Sequence, residues 1–228
     1  MKRSEVNAIM GQAAELIAAH GFCLPPFAWW SPEAFRARGQ QAARVVEARL
    51  GWDITDYGQG DFDRVGLALF TLRNGRMPDL RAGGGMCYAE KLLISREGQL
   101  SPMHRHIVKA EDIINRGGAT LAVELYGSDA AGGFARDRGG TVWCDGIARP
   151  FAPGEVIRLA PGESVTLMPG DWHAFWGEGG DVLVGEVSTV NDDLTDNVFC
   201  EPLGRFAEIE EDEAPRHLLV SDYETWLG

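Results

Sequence analysis

His104, His106, Glu111 and His173 offer three imidazoles and one carboxylate, a donor set able to hold a divalent metal ion. On a strand, residues i and i+2 point to one face, so His104 and His106 reach the same ion while Arg105 turns away. A lone strand histidine is more often a hydrogen-bonded core residue, and a lone glutamate usually sits on the surface. Four such residues together make the structural explanation the weaker one. Four protein ligands on an octahedral ion leave two neighbouring positions for substrate oxygens, whereas a closed tetrahedral zinc site leaves none. Without thiolate, the set admits manganese, iron, cobalt, nickel or zinc, and spacing does not choose among them.

Length and composition bound what surrounds that centre. A chain of 228 residues with 45% hydrophobic content can bury a sizeable core in one domain. The formal charge of -13 disfavours nucleic acid, whose binding draws on lysine and arginine neutralising phosphates. Neutral small molecules and metal ions fit better. Cys23, Cys87, Cys144 and Cys200 form no C-x-x-C pair and read as reduced thiols in a cytoplasm. No apolar run approaches the roughly 20 residues a membrane span needs, and Met1-Lys2-Arg3 leads into a polar, periodic segment rather than a signal-peptide core. The expectation is a soluble, unprocessed, cytoplasmic protein.

Two textures must position the metal ligands. From Ser4 to about His20, Val6, Ile9, Met10, Ala13, Leu16 and Ile17 recur at three and four residues, which predicts an amphipathic helix stopped by Gly21. Phe22 to Trp30, with Pro25-Pro26, reads as an extended segment, and Ser31-Pro32-Glu33 as the N-cap and first turn of a second helix. Beyond residue 50, short runs such as 65–72 and 182–190 are rich in Val, Leu and aromatic residues and are broken by Gly and Pro, the pattern of a β-sandwich or small barrel. The segments 81–86, 127–140 and 178–181 read as loops or hairpin ends. The acidic run 208–213 reads as a solvated surface or turn, not a metal tail.

The ligand spacing resembles the cupin pattern. Gly98, His104-x-His106, Glu111 and Gly118 reproduce the first cupin motif throughout. For the second, Gly162 lies eleven residues before His173 and Gly170 three before it, with Pro169 displaced by one and Gly177 in the usual asparagine position. The resemblance implies a mainly β, jelly-roll-like sandwich or barrel over residues 1–228, with residues 1–50 as a helical extension packed on it.

A narrower likeness covers most of residues 50–214. Trp52-Asp53-Ile54-Thr55-Asp56-Tyr57-Gly58, Leu69-Phe70-Thr71-Leu72-Arg73-Asn74-Gly75, Tyr88-Ala89-Glu90-Lys91, the stretch from Glu111 to Gly118, Gly185-Glu186-Val187-Ser188-Thr189-Val190-Asn191-Asp192-Asp193 and Gly204-Arg205-Phe206 resemble the D-lyxose ketol-isomerase family. That resemblance implies a manganese-dependent homodimer interconverting D-lyxose with D-xylulose and often D-mannose with D-fructose.

An aldose-ketose isomerase must move one proton between adjacent carbons while charge develops on the neighbouring oxygens. Glu186, alternating with Val182 and Val184, is the expected acid/base, with Glu111 as the alternative. Strand alternation fixes its parity but not which face is inside. A lysine is ordinarily exposed, so it is the resemblance that places Lys91 beside the enediolate. Lys91, His104, Glu111, Glu186, Asp193 and Arg205 are the expected sugar-binding residues, with Asp192 an alternative to Asp193. Trp52, Trp172 and Trp176 are weaker candidates for an apolar wall. A cupin dioxygenase using the same ligands and a non-catalytic sugar-binding cupin are the competing readings. The polar inventory of Lys91, Glu186, Asp193 and Arg205 favours a polyol over an apolar oxygenase substrate.

Overall fold

The computed structural model describes residues 1–227. Helix α1 spans Arg3–Ala19. Its apolar stripe of Val6, Ile9, Met10, Ala13 and Ile17 is buried against Trp52, Ile54, Phe70 and Leu92 of the sheet. Val6, Ile9, Met10 and Ile17 each contribute about 1.5–3 kcal/mol by leaving water. The first turn of α1 is tied to the acidic segment near the other end of the chain. Arg3, fully buried, donates to Asp222 at 2.9 Å and pairs with Glu211 at 2.5 Å, while Ser4 and Asn7 donate to Asp212 and Glu213. The 208–213 run therefore anchors α1 as well as facing solvent.

Helix α2 (Pro32–Arg38) starts as its sequence dictates, with Ser31 Oγ accepting from Ala34 N at 3.2 Å and proline in the first turn. Pro25-Pro26 does not stay extended throughout, because Pro26–Trp29 closes one 3-10 turn. The short helix α3 (Ala43–Glu47) leads to the sheet.

Strands β1 (Gly51–Thr55) and β2 (Leu67–Asn74) are followed by helix α4 (Met77–Ala82), then by β3 (Tyr88–Ser95), β4 (Ser101–His106) and β5 (Glu111–Tyr126). Next come β6 (Gly140–Cys144), β7 (Ile147–Phe151), β8 (Glu155–Leu159), β9 (Ser164–Leu167), β10 (Trp172–Thr189) and β11 (Asn197–Phe199), and helix α5 (Tyr223–Leu227) lies beyond them. All named pairings are antiparallel. The main path runs β1-β2-β3-β10-β5-β9-β6-β7, with β4 added to β10, β11 to β4 and β8 to β5.

The long strands β5 and β10 close the sandwich because each serves two neighbours along its length. The first half of β10 pairs with β4 and its second half with β3, while β5 pairs first with β9 and then with β8. The segment 178–181, expected as a loop, instead lies inside β10, where the register against β5 slips between Glu178 and Val182. Gly118 opposes that slip at φ +101°, and a Cβ there would come within 2.3 Å of the Asp181 carbonyl oxygen, so only glycine fits. Strands β2 and β3 have two apolar faces. Leu67, Leu69 and Leu93 point into the interior core with Leu121, Val123, Ile157 and Val184, while Ala68, Phe70, Leu92 and Ile94 meet α1. Both faces being buried explains why these strands read as continuous apolar runs.

Candidate metal centre

Strand β4 delivers His104 and His106 to the interior, β10 places His173 directly opposite His104, and β5 begins with Glu111. Ligand atoms of the four side chains all lie within 4.8 Å of one another. His104 Nδ1 sits 2.8 Å from the Pro102 carbonyl oxygen and His173 Nδ1 3.1 Å from that of Asp171. A carbonyl only accepts, so both rings carry their proton on Nδ1 and present a bare Nε2. His106 Nε2 and His173 Nε2 each lie 3.1 Å from Glu111 Oε1, and all three atoms are buried without a hydrogen-bond partner. An orphaned buried polar atom costs about 1–3 kcal/mol. Three converging on one point fit a divalent metal held by three nitrogens and one oxygen.

The protonation states suit ligation. Burial, reinforced by His173 and His106, pushes the His104 imidazole well below its usual range, and burial together with Lys109 lowers His106. Burial by itself would raise the Glu111 carboxyl, but Lys109 and His106 outweigh it and hold it well below the usual carboxylate range. Neutral imidazoles and an ionised carboxylate are the forms a metal binds.

From Glu111 a chain of alternating charges runs away from the metal ligands. Lys109 Nζ is 2.7 Å from Glu111 Oε2 and 3.0 Å from Glu186 Oε1. Lys91 Nζ stands 3.4 Å from the same Glu186 oxygen and 3.8 Å from Asp193 Oδ1, and donates to Asn191 Oδ1 at 2.6 Å. Arg205 then bridges Asp193 at 3.2 Å and Asp53 at 2.7 Å. Buried charges are tolerable only when paired in this way. Despite the opposing effect of burial, Lys109 and Lys91 lower the Glu186 carboxyl, and Arg205 and Lys91 hold Asp193 well below its usual range.

Glu186 faces inward. It is 4% exposed and lies in register with Lys91 on β3, so the two side chains share a face. Glu186, Lys91, Asp193 and Arg205 line one cavity of about 40 Å³ with the four metal-centre residues. Asp192 is turned away, its carboxylate capping a turn through Leu194 N, Thr195 N and Thr195 Oγ1.

The tryptophans are not the cavity wall. Trp52 is in the core beneath α1, Trp172 packs on Phe134 under the Arg105 guanidinium, and the apolar lining comes from Tyr57, Phe175 and Phe199. Lys109 was not legible as a site residue, because it lies in the link between β4 and β5 where no strand period assigns a face. Its position two residues before Glu111 was the only available hint. Asp53 meets Arg205 from β1 and Asn191 meets Lys91 from just beyond β10, while Tyr57 lines the cavity.

An antiparallel sandwich closed by two long shared strands, carrying a three-histidine, one-glutamate centre inside it, defines a cupin-type protein with a metal site. A family model described as D-lyxose isomerase matches residues 1–223, and the chain belongs to that family of isomerases. It is 50% identical over 226 residues to a D-lyxose/D-mannose isomerase of Serratia proteamaculans, covering 98% of each chain. To a D-lyxose/D-mannose isomerase of Escherichia coli O157:H7 it is 46% identical over 229 residues, again across 98% of each. Among solved structures, L-ribose isomerase of Acinetobacter sp. DL28 in complex with L-ribose superposes with a TM-score of 0.63 at 18% identity, covering 92% of this chain and 98% of that one. L-ribose isomerase of Cellulomonas parahominis with L-psicose gives 0.61 at 19%, with the same coverage. At such identities the likeness is one of fold. No helix among the described residues is long and apolar enough to cross a membrane.

Proposed function

We propose that this isomerase interconverts D-lyxose with D-xylulose, and D-mannose with D-fructose, by a metal-dependent 1,2 proton transfer through an enediol. The observation that carries the reading is the buried three-nitrogen, one-oxygen centre sharing a cavity with Glu186 and Lys91, in a chain about half identical to two D-lyxose/D-mannose isomerases. His104, His106, Glu111 and His173 would hold the metal. Manganese suits this oxygen- and imidazole-based set, which cobalt, iron, nickel and zinc also accept. Bound there, the ion would supply Lewis acidity to the sugar's carbonyl.

The chain's own groups carry the proton and the sugar. Glu186 takes the proton from C2 of the aldose and returns it to C1, while the hydroxyl proton on O2 passes to O1, so that the carbonyl forms at C2 and the hydroxyl at C1. Its Oε1 is occupied by Lys109, Lys91 and Ser188, which leaves Oε2 for the transfer. A carboxyl held below its usual range is in the basic form at neutral pH but is a weak base, so the site must also stabilise the enediolate. Lys91 and Lys109 place two ammonium groups there, worth more in a low-dielectric cavity than in water. Asp193 and Arg205 bind the distal hydroxyls, and burial keeps the Tyr57 phenol protonated as a donor.

A homodimer is supported by the outer face of the sheet, where Trp143, Met168, Val187 and Tyr88 leave apolar surface exposed. The unpaired thiols of Cys23, Cys87, Cys144 and Cys200 suit a reducing cytoplasm.

The deciding experiment is ketose formation from D-lyxose by protein stripped with a chelator and then reloaded with manganese, with D-mannose run in parallel. Metal-restored D-xylulose is the expected result. Bound metal with no ketose from either sugar overturns the assignment.

A further inference from the structure

His106 differs from the other two histidines of the centre in what stands behind it. His104 and His173 direct Nδ1 at backbone carbonyls, whereas His106 Nδ1 is buried with no hydrogen-bond partner. The group facing it is the Asp196 carboxylate, whose Oδ2 is 3.9 Å away. Asp196 is 3% exposed and immediately precedes β11, which pairs with β4 beside His106. Its carboxylate gathers three consecutive backbone donors of the link between the ligands: Oδ1 accepts from Ile107 N at 3.1 Å and Val108 N at 2.7 Å, and Oδ2 from Lys109 N at 2.9 Å. A carboxylate has about four acceptor positions. Three are used, and the nearest remaining polar atom is the one Nδ1 of the three ligand imidazoles that lacks a partner.

We infer that Asp196 is the positioning residue of the metal centre: it accepts the Nδ1 proton of His106, fixing the tautomer that leaves Nε2 free for the ion, while its other contacts set the path of the 107–109 link that carries Lys109 to Glu111. The separation of 3.9 Å is about 1 Å beyond hydrogen-bond length. No other acceptor is in place for that proton. Carboxylate–histidine–metal relays of this type orient the ring and raise its basicity as a ligand. The inference rests on the metal reading above, but on neither the sugar nor the reaction.

Substitution by asparagine preserves the shape of the side chain and changes what one of its two terminal atoms offers. If the amide oxygen keeps Ile107 N and Val108 N, the amide nitrogen replaces Oδ2, gives up the bond from Lys109 N and donates toward His106 Nδ1. The proton on His106 then moves to Nε2, the nitrogen the metal needs. The test is the imidazole nitrogen-proton correlation spectrum of the full-length, metal-free protein, read alongside manganese affinity by calorimetry.

Wild type is expected to show His106 protonated on Nδ1. Asp196→Asn is expected to move that proton to Nε2, leave His104 and His173 unchanged, and weaken manganese binding by roughly ten- to a hundredfold. A role confined to bracing the loop would alter stability without exchanging the tautomer of one histidine. The inference is overturned if His106 of wild type carries its proton on Nε2, a result that needs no variant to fold. It is equally overturned if Asp196→Asn keeps the wild-type tautomer or binds manganese with wild-type affinity. Failure of wild type to bind any divalent metal would instead sink the metal reading itself, so the two failures are distinguishable.

Discussion

Lys109 donates to Glu186 across 3.0 Å although 77 residues separate them, and the same ammonium lies 2.7 Å from Glu111. One cation thus neutralises a metal-centre carboxylate and the proposed proton carrier. Lys109→Met leaves both carboxylates buried without it. Breaking a buried pair costs about 3–5 kcal/mol, so thermal unfolding of the metal-free variant should fall by roughly 6–20 °C. The sign of the pH effect follows from the present one. Lys109 lowers the Glu186 carboxyl against the pull of burial, so its removal raises that carboxyl, and the acid limb of the kcat/KM profile should move to higher pH.

His104→Ala and Glu186→Gln should separate ligation from proton transfer. The first loses metal and turnover together. The second keeps metal by calorimetry and loses roughly 10²- to 10⁴-fold in kcat, the usual worth of a positioned acid/base. Normal turnover by Glu186→Gln would remove Glu186 from the mechanism and return attention to Glu111.

Metal removal should be visible without any substrate. A ligand that binds only the folded state at a hundred times its Kd adds about 2.7 kcal/mol, which in a chain of this size corresponds to a Tm shift of roughly 5–11 °C. Differential scanning calorimetry of chelator-treated protein before and after manganese addition checks this. Superposed traces would argue against the site.

Asp193 predicts an acid-dependent loss of stability. Its carboxyl is held well below the unfolded value of about 3.9, so ionisation of Asp193 stabilises the fold above that pH, and the contribution is lost as pH falls through the folded pKa. Asp193→Asn should therefore be less stable than wild type at pH 7, with the gap narrowing below about pH 4. Urea midpoints at both pH values measure it, and a gap that widens in acid would contradict the assignment.

Sequence and structure agree most closely where chemistry is carried by local spacing. His104-x-His106 and Glu111 are legible because strand period and a short link fix their relation, and the α1 stripe because helical period does. The roles of Lys109, Asp196 and Asn191 are not legible in sequence because they depend on distant partners: Glu186 on β10 for Lys109, the 107–109 backbone for Asp196 and Lys91 on β3 for Asn191. The tryptophans take the more usual role: large aromatic side chains are most useful to a sandwich as core, and Trp52 fills the space beneath α1. Glu186 was ambiguous until its pairing with Lys91 showed which side of β10 is inside.

The register slip at 178–181 settles that ambiguity at a deeper level. His173 and Glu186 are an odd number of residues apart on one strand, so a regular pleat would send one into the interior and the other to solvent. Both are buried in the same cavity, with Phe175 inward before the slip and Val182 and Val184 inward after it. The Gly-Glu-Gly-Gly stretch acts as a phase shifter that brings two halves of one strand into step. Its length is then fixed in parity rather than in absolute terms: removing one residue would turn Val182, Val184 and Glu186 outward together, whereas removing two would keep the phase.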